Sequence, residues 1–182
     1  EMYRLAARPV RHWADGATDR LLPTYERALD ASEMTRDAPI DDLALVVEDL
    51  AEGARRLAVL LEPELIDLTT RVESWHANRW RSSVRRVANF DPVDLIRSLD
   101  AADEVIAHRR WASVLIRDIA DSTRKRIEGA AFRSFANRTP RRELAKMIRD
   151  ELGIERRRAK RIANDQTMKL TGKLDELRHR EA

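Results

Sequence analysis

The chain has 182 residues, 43% of them hydrophobic and 37% charged, with a formal net charge of +3. It holds no cysteine, which removes disulfides, thiolate metal sites and cysteine nucleophiles and fits a reducing compartment. Five glycines and six prolines are too few for a turn-rich β architecture or for phosphate-cradling loops, whereas the dominant Ala, Leu, Arg and Glu are all strong helix formers.

The composition predicts an all-α fold: an elongated, multi-helix assembly protein. Residues 3–13 suggest a short helix offset by Pro9, and residues 19–35 a second with Leu21, Leu22, Tyr25, Ala28 and Leu29 on one face. Pro23 falls in the first turns of that helix, where a missing N–H is tolerated. The segment from Thr35 to Pro39 reads as a loop, and Asp41 or Asp42 as the cap of the next helix. Leu43, Val46, Val47, Leu50, Ala54, Leu57 and Leu61 repeat there at the helical period. Pro63 marks a boundary. A long helix over about 64–88 then carries Leu65, Leu68, Val72, Trp75, Ala77, Trp80, Val84 and Val87.

Asn89-Phe90-Asp91-Pro92 punctuates the chain a second time, with Asp91 suited to a cap and Pro92 to a first helical position. A short segment over about 92–99 follows. Within 101–118 the apolar run Val114-Leu115-Ile116 admits a buried extended piece before helix resumes over 120–137. Thr139-Pro140 opens the last region, with Leu144, Met147, Ile148 and Leu152 as its stripe. Gly153 is expected to end that helix in the left-handed conformation. Glu155 would then open a second helix through Leu174, giving a tight helix-Gly-helix unit. Two regions are expected, 1–88 and 89–182.

The small net charge hides a strong polarity. Residues 1–78 carry 9 Lys and Arg against 16 Asp and Glu, a net of −7, and residues 79–182 carry 26 against 16, a net of +10. Such a chain presents two surfaces suited to different neighbours. Arg124, Lys125, Arg126, Arg141, Arg142, Arg156, Lys160 and Arg161 are the candidate contacts to phosphates or to an acidic partner. Arg156, Arg157 and Arg158 are consecutive and fan around a helix, so at least one is expected to face protein.

Signals for chemistry are weak. His12, His76, His108 and His179 are far apart and form no HExxH pair, so no metal and no cofactor is expected. No GxGxxG, GxxxxGK[ST] or GxSxG is present. Paired acids such as Asp118/Asp121 and Asp150/Glu151 read as caps or solvated faces. Asp165, four residues before Lys169, reads as part of a polar cluster that fixes helix register. The chain is therefore expected not to be an enzyme. Some of Trp13, Trp75, Trp80 and Trp111 are expected in the core and some as partner anchors. No apolar run approaches the roughly 20 residues that cross a bilayer.

The last third also carries a compound pattern: Leu115-Ile116-Arg117-Asp118-Ile119, then the opening Thr139-Pro140-Arg141-Arg142-Glu143-Leu144-Ala145, then Gly153-Ile154, Arg157-Arg158-Ala159, Ile162-Ala163, Asp165-Gln166-Thr167, Lys169-Leu170 and Gly172. From about Phe90 onward this resembles the phage head morphogenesis family of Mu F-like minor head proteins. The family commonly has arginine where Asn164 stands and asparagine where Thr171 stands. It also commonly continues beyond the point where this sequence stops, with a Gly-containing turn and a tryptophan-rich, histidine-containing segment. The opening Glu1 is not a methionine, so residues are expected upstream as well. The resemblance implies a minor structural protein of a tailed-phage virion head, present in few copies near the portal. Implied partners are the portal protein, the major capsid protein and packaged double-stranded DNA, with no membrane. Implied locations are the head interior or portal vicinity, and the host cytoplasm during assembly. The residues alone leave a second reading open, a helical protein that binds DNA without sequence preference.

Overall fold

A computed structural model describes residues 1–34, 40–88 and 101–180, and every described element is helical. In chain order these are α1 (Met2–Ala6), α2 (Arg8–Gly16), a π-helical turn (Ala17–Leu21), α3 (Leu22–Met34), α4 (Ile40–Leu60), α5 (Glu62–Ala88), α6 (Ala101–Ala136) and α7 (Arg141–Arg180). The Thr35–Pro39 loop, the Asn89–Pro92 boundary and the 92–99 segment of the sequence analysis lie outside the described residues.

The frame is an antiparallel hairpin of α6 and α7. Their 36 and 40 residues make rods of about 54 and 60 Å at 1.5 Å per residue, which gives the molecule its elongated shape. Pairings keep register along it: Arg126 with Glu151, Ser122 with Glu155, and Lys173 with Glu104 near the open end. At the closed end Arg138 adopts a positive φ of 50°, and the Pro140 carbonyl accepts the first N–H bonds of α7. The Tyr25 hydroxyl of α3 donates to the Thr139 carbonyl at 2.6 Å, and Arg141 pairs with Glu26 at 2.6 Å, so α3 is fastened to this turn.

One large buried cluster joins both halves of the sequence. It includes Leu5, Val10, Trp13, Leu21, Tyr25, Leu43, Leu50 and Leu65 with Ile116, Ile119, Ile127, Leu144, Ile148 and Ala159. Each fully buried Leu, Ile or Val among them stabilises the fold by roughly 1.5–3 kcal/mol. The α4 pattern is found as read: Leu43, Val47, Leu50, Ala54 and Leu61 are buried, and Val46 and Leu57 pack beside them. Gly16 lets α2 approach α4 closely, because a Cβ there would run into Leu50. A smaller cluster, Ala101, Val105, Leu170 and Leu174, sits toward the open end, where Val72 of α5 touches both clusters. Of the tryptophans, Trp13 is wholly buried and Trp80 half-buried, while Trp75 and Trp111 are exposed. Val87, read as part of the α5 stripe, is 88% exposed.

Three expectations are corrected. The helix does not end at Gly153: α7 runs unbroken from Arg141 to Arg180, and no described glycine has a positive φ. The helix-Gly-helix unit is therefore absent, and the hairpin turn lies at 137–140 instead. The burial register explains why. Leu144, Ile148, Leu152, Glu155, Ala159 and Ala163 recur every three or four residues straight through Gly153, and keeping that stripe on α6 outweighs the roughly 1 kcal/mol that glycine costs a helix interior. Val114-Leu115-Ile116 is not an extended piece but mid-helix, with Ile116 buried and Val114 exposed. The single helix expected over 19–35 is interrupted by the π turn, after which Pro23 occupies the start of α3.

Candidate functional site

The two sides of α7 differ in what their charged groups meet. On the side facing α6, Glu155 is only 1% exposed. Arg126 Nε lies 2.8 Å from its Oε1, and the Ser122 hydroxyl donates to its Oε2 at 2.7 Å. Arg158 donates to Ser122 Oγ at 2.7 Å and pairs with Asp118. Arg126 also pairs with Glu151 at 2.7 Å, and these carboxylates hold its guanidinium pKa above the ordinary value. A buried carboxylate is costly unless paired and hydrogen-bonded, and here both conditions are met across the hairpin seam. Glu155 is thus a seam residue, not the opener of a new helix.

The other side of α7 carries an unpaired cationic row. Arg142, Lys146, Arg149, Arg156 and Lys160 are exposed, and their spacings of four, three, seven and four keep them within an arc of about 80° at 3.6 residues per turn. From Arg142 to Lys160 the row extends about 27 Å. Arg157 borders it. None of these six has an acidic partner among the described residues, whereas Arg124, Arg126, Arg141 and Arg158 pair with Glu128, Glu151, Glu26 and Asp118. Glu143 and Asp150 fall on the flank of the row, and Glu151 and Glu155 turn to the seam.

Beside this row an open-sided groove of about 400 Å³ separates α7 from the π turn. Ala14, Ala17, Thr18 and Leu22 form one wall, Ala145, Ile148 and Leu152 the other, and Arg149 and Arg156 stand at its edge. Its wall on the π-turn side is mostly small side chains, which leaves the space open.

A third polar feature lies toward the open end. Arg178 of α7, 2% exposed, donates to His76 Nδ1 and lies 3.0 Å from Glu73 Oε1, while His76 Nε2 is 2.8 Å from Asp175 Oδ1. Burial pushes the Arg178 guanidinium pKa down, with Glu73 opposing. These contacts lash α5 to the hairpin, although the buried Arg178 Nε has no hydrogen-bond partner among the described residues. Among the described residues no three His, Asp or Glu gather as metal ligands, and no helix is long and apolar enough to cross a membrane.

The residues singled out from sequence therefore separate into four groups. Ala159, Ala163 and Gln166 are buried, and Ile162 packs beside the core. Arg124, Arg126, Arg141 and Arg158 are engaged in ion pairs, and Asp165 and Lys169 form an exposed pair at 2.8 Å. Asp165 also accepts from Gln166 Nε2 at 3.2 Å, and Thr167 donates to the Ala163 carbonyl. Arg142, Arg156, Arg157, Lys160 and Arg161 face solvent on α7, and Lys125 does so on α6. Gly153 and Gly172 are ordinary helical positions, with open space around Gly172. Sequence reading missed Lys146 and Arg149, because a break at Gly153 gives the two segments unrelated phases. It also missed the groove, whose far wall comes from more than a hundred residues earlier.

No family model, no curated protein and no solved structure matches this chain.

Proposed function

We propose that the chain is a non-catalytic assembly component of a tailed-phage head, of the minor head protein kind, working beside the portal protein or the major capsid protein. The single observation that carries this reading is the division of labour along α7. Most of the residues that give the sequence its likeness to head morphogenesis proteins, from Arg141 to Gly172, lie on one unbroken helix. Their small and apolar members, Ala159, Ala163 and Leu170, are buried. The outward side bears a cationic row with no acidic partner among the described residues. A rigid rod that spends its apolar side on its own hairpin and leaves cations over about 27 Å suits docking to an acidic surface of a larger particle. Immunodetection in purified virions tests this reading. Recovery in a few copies per particle is the expected result, and absence from both virions and procapsids contradicts it.

The same unpaired row favours a second reading, contact with packaged duplex DNA without sequence preference. Phosphate attraction requires only cations near the backbone and falls steeply with salt. Weakening of duplex binding between low and physiological salt, equal for unrelated sequences, is the expected result. No binding at low salt removes this second reading and leaves the first intact.

A further inference from the structure

We propose that the groove between the π turn and α7 is a docking site for an acidic amphipathic helix of a partner protein. This goes beyond the head-assembly reading and does not depend on it. Three features of the groove converge. Its floor and walls are apolar: Ala17, Leu22, Ala145, Ile148 and Leu152. Its edge is cationic, and both edge arginines are free of acidic partners among the described residues, whereas Arg126 and Arg158 at the seam and Arg141 at the turn are paired. Its far wall is built at a π turn, a local irregularity that costs hydrogen-bond geometry and recurs at functional positions.

The spacing selects the occupant. Arg149 and Arg156 are seven residues apart, two helical turns or about 10.5 Å. A helix lying along the groove repeats its own side chains at the same interval. Acidic residues seven apart on that helix would meet both guanidiniums, and apolar residues three and four positions beyond each acid would enter the groove, as in other helix-in-groove recognition. Lys146 and Lys160 extend the cationic edge by about one turn at either end. Duplex DNA, by contrast, would use the charges of α7 but leave the apolar groove empty.

Thr18 supplies a probe. It is exposed on the groove wall, so a bulky residue there fills the groove, and the anisotropy of a fluorescein-labelled peptide reads binding to every variant. The ligand for the test is a synthetic peptide of roughly 20 residues, long enough to sustain a helix, with glutamates seven apart and leucines between them. A peptide of the same composition in shuffled order and a short DNA duplex are the comparisons. The patterned peptide is expected to bind at least about ten-fold more tightly than the shuffled one, a difference of roughly 1.4 kcal/mol. The preference is expected to vanish in Arg149→Glu/Arg156→Glu and to persist in the charge-matched Arg110→Glu/Arg117→Glu. Thr18→Trp, which fills the groove without changing charge, is expected to abolish peptide binding and spare DNA binding; circular dichroism confirms that each variant remains helical. Equal binding of patterned and shuffled peptides, peptide binding undiminished by Thr18→Trp, or binding of the duplex alone would overturn the proposal.

Discussion

On the seam side of α7, Arg158 reaches Asp118 and Ser122 across the hairpin and lies beside a carboxylate that water cannot reach. On the outer side, Arg149 and Arg156 stand over a groove and meet no acid among the described residues. The residue type is the same and the helix is the same. What differs is whether an acid was placed opposite. The seam is finished within the molecule and contributes stability. The outer side is unfinished, and its charges carry the capacity to bind. Substitutions on the two sides should therefore separate stability from binding.

The largest effect belongs to the apolar part of the seam. Leu144 is fully buried near the closed end, and Leu144→Ala should cost about 2–5 kcal/mol through lost burial and the cavity left behind, measured by denaturant unfolding. Next comes the polar part. Glu155→Ala leaves Arg126 and Arg158 without their shared carboxylate, but both guanidiniums are partly exposed and keep Glu151 and Asp118. A loss of about 1–3 kcal/mol follows, smaller than for a fully buried charge. A neutral outcome would mean that the seam network is not structural.

Smaller effects sharpen the path of the backbone. Gly153→Ala should stabilise the protein by about 0.5–1 kcal/mol, because the added methyl finds only the end of Arg157 nearby, at 3.7 Å. Arg138→Gly should stabilise it by about 1 kcal/mol, since the left-handed backbone there is strained for any residue with a Cβ. If Gly153 were a helix stop, the first substitution would destabilise instead. The smallest effect is acid sensitivity at His108 on α6. Burial, with help from Lys169, pushes its pKa below the ordinary histidine value. The folded state then prefers the neutral ring while the unfolded chain takes up a proton near pH 6.5. Its stabilising contribution is intact above about pH 6.5 and drains away as the pH falls from there through the folded-state pKa. His108→Gln should flatten that slope in a pH series of melting curves.

Much of this molecule was legible before its structure. The α4 stripe is found residue for residue, because nothing in that segment competes with the helical period. The failures have identifiable sources. At Gly153 a strong local signal for a helix end was read against a stripe that continues through it, and the stripe was hard to see because Glu155 fills one of its inward positions. Partners 29 and 33 residues away, Arg126 and Ser122, make a buried glutamate acceptable there. The Val114-Leu115-Ile116 run misled for a related reason: only Ile116 is buried, and the local pattern does not separate it from the exposed Val114. The groove had no local signature. It depends on small residues near position 17 facing residues near 148, a pairing that only the folded hairpin makes.

Position, rather than total charge, is the central claim for the outer side of α7, and retention on immobilised heparin tests it directly. Two triple variants carry identical net charge: Arg149→Glu/Arg156→Glu/Lys160→Glu on the row, and Arg110→Glu/Arg117→Glu/Lys125→Glu on α6, all exposed positions. The account predicts that the first elutes at much lower salt than the second at equal folded stability. Coincident elution of the two would contradict it.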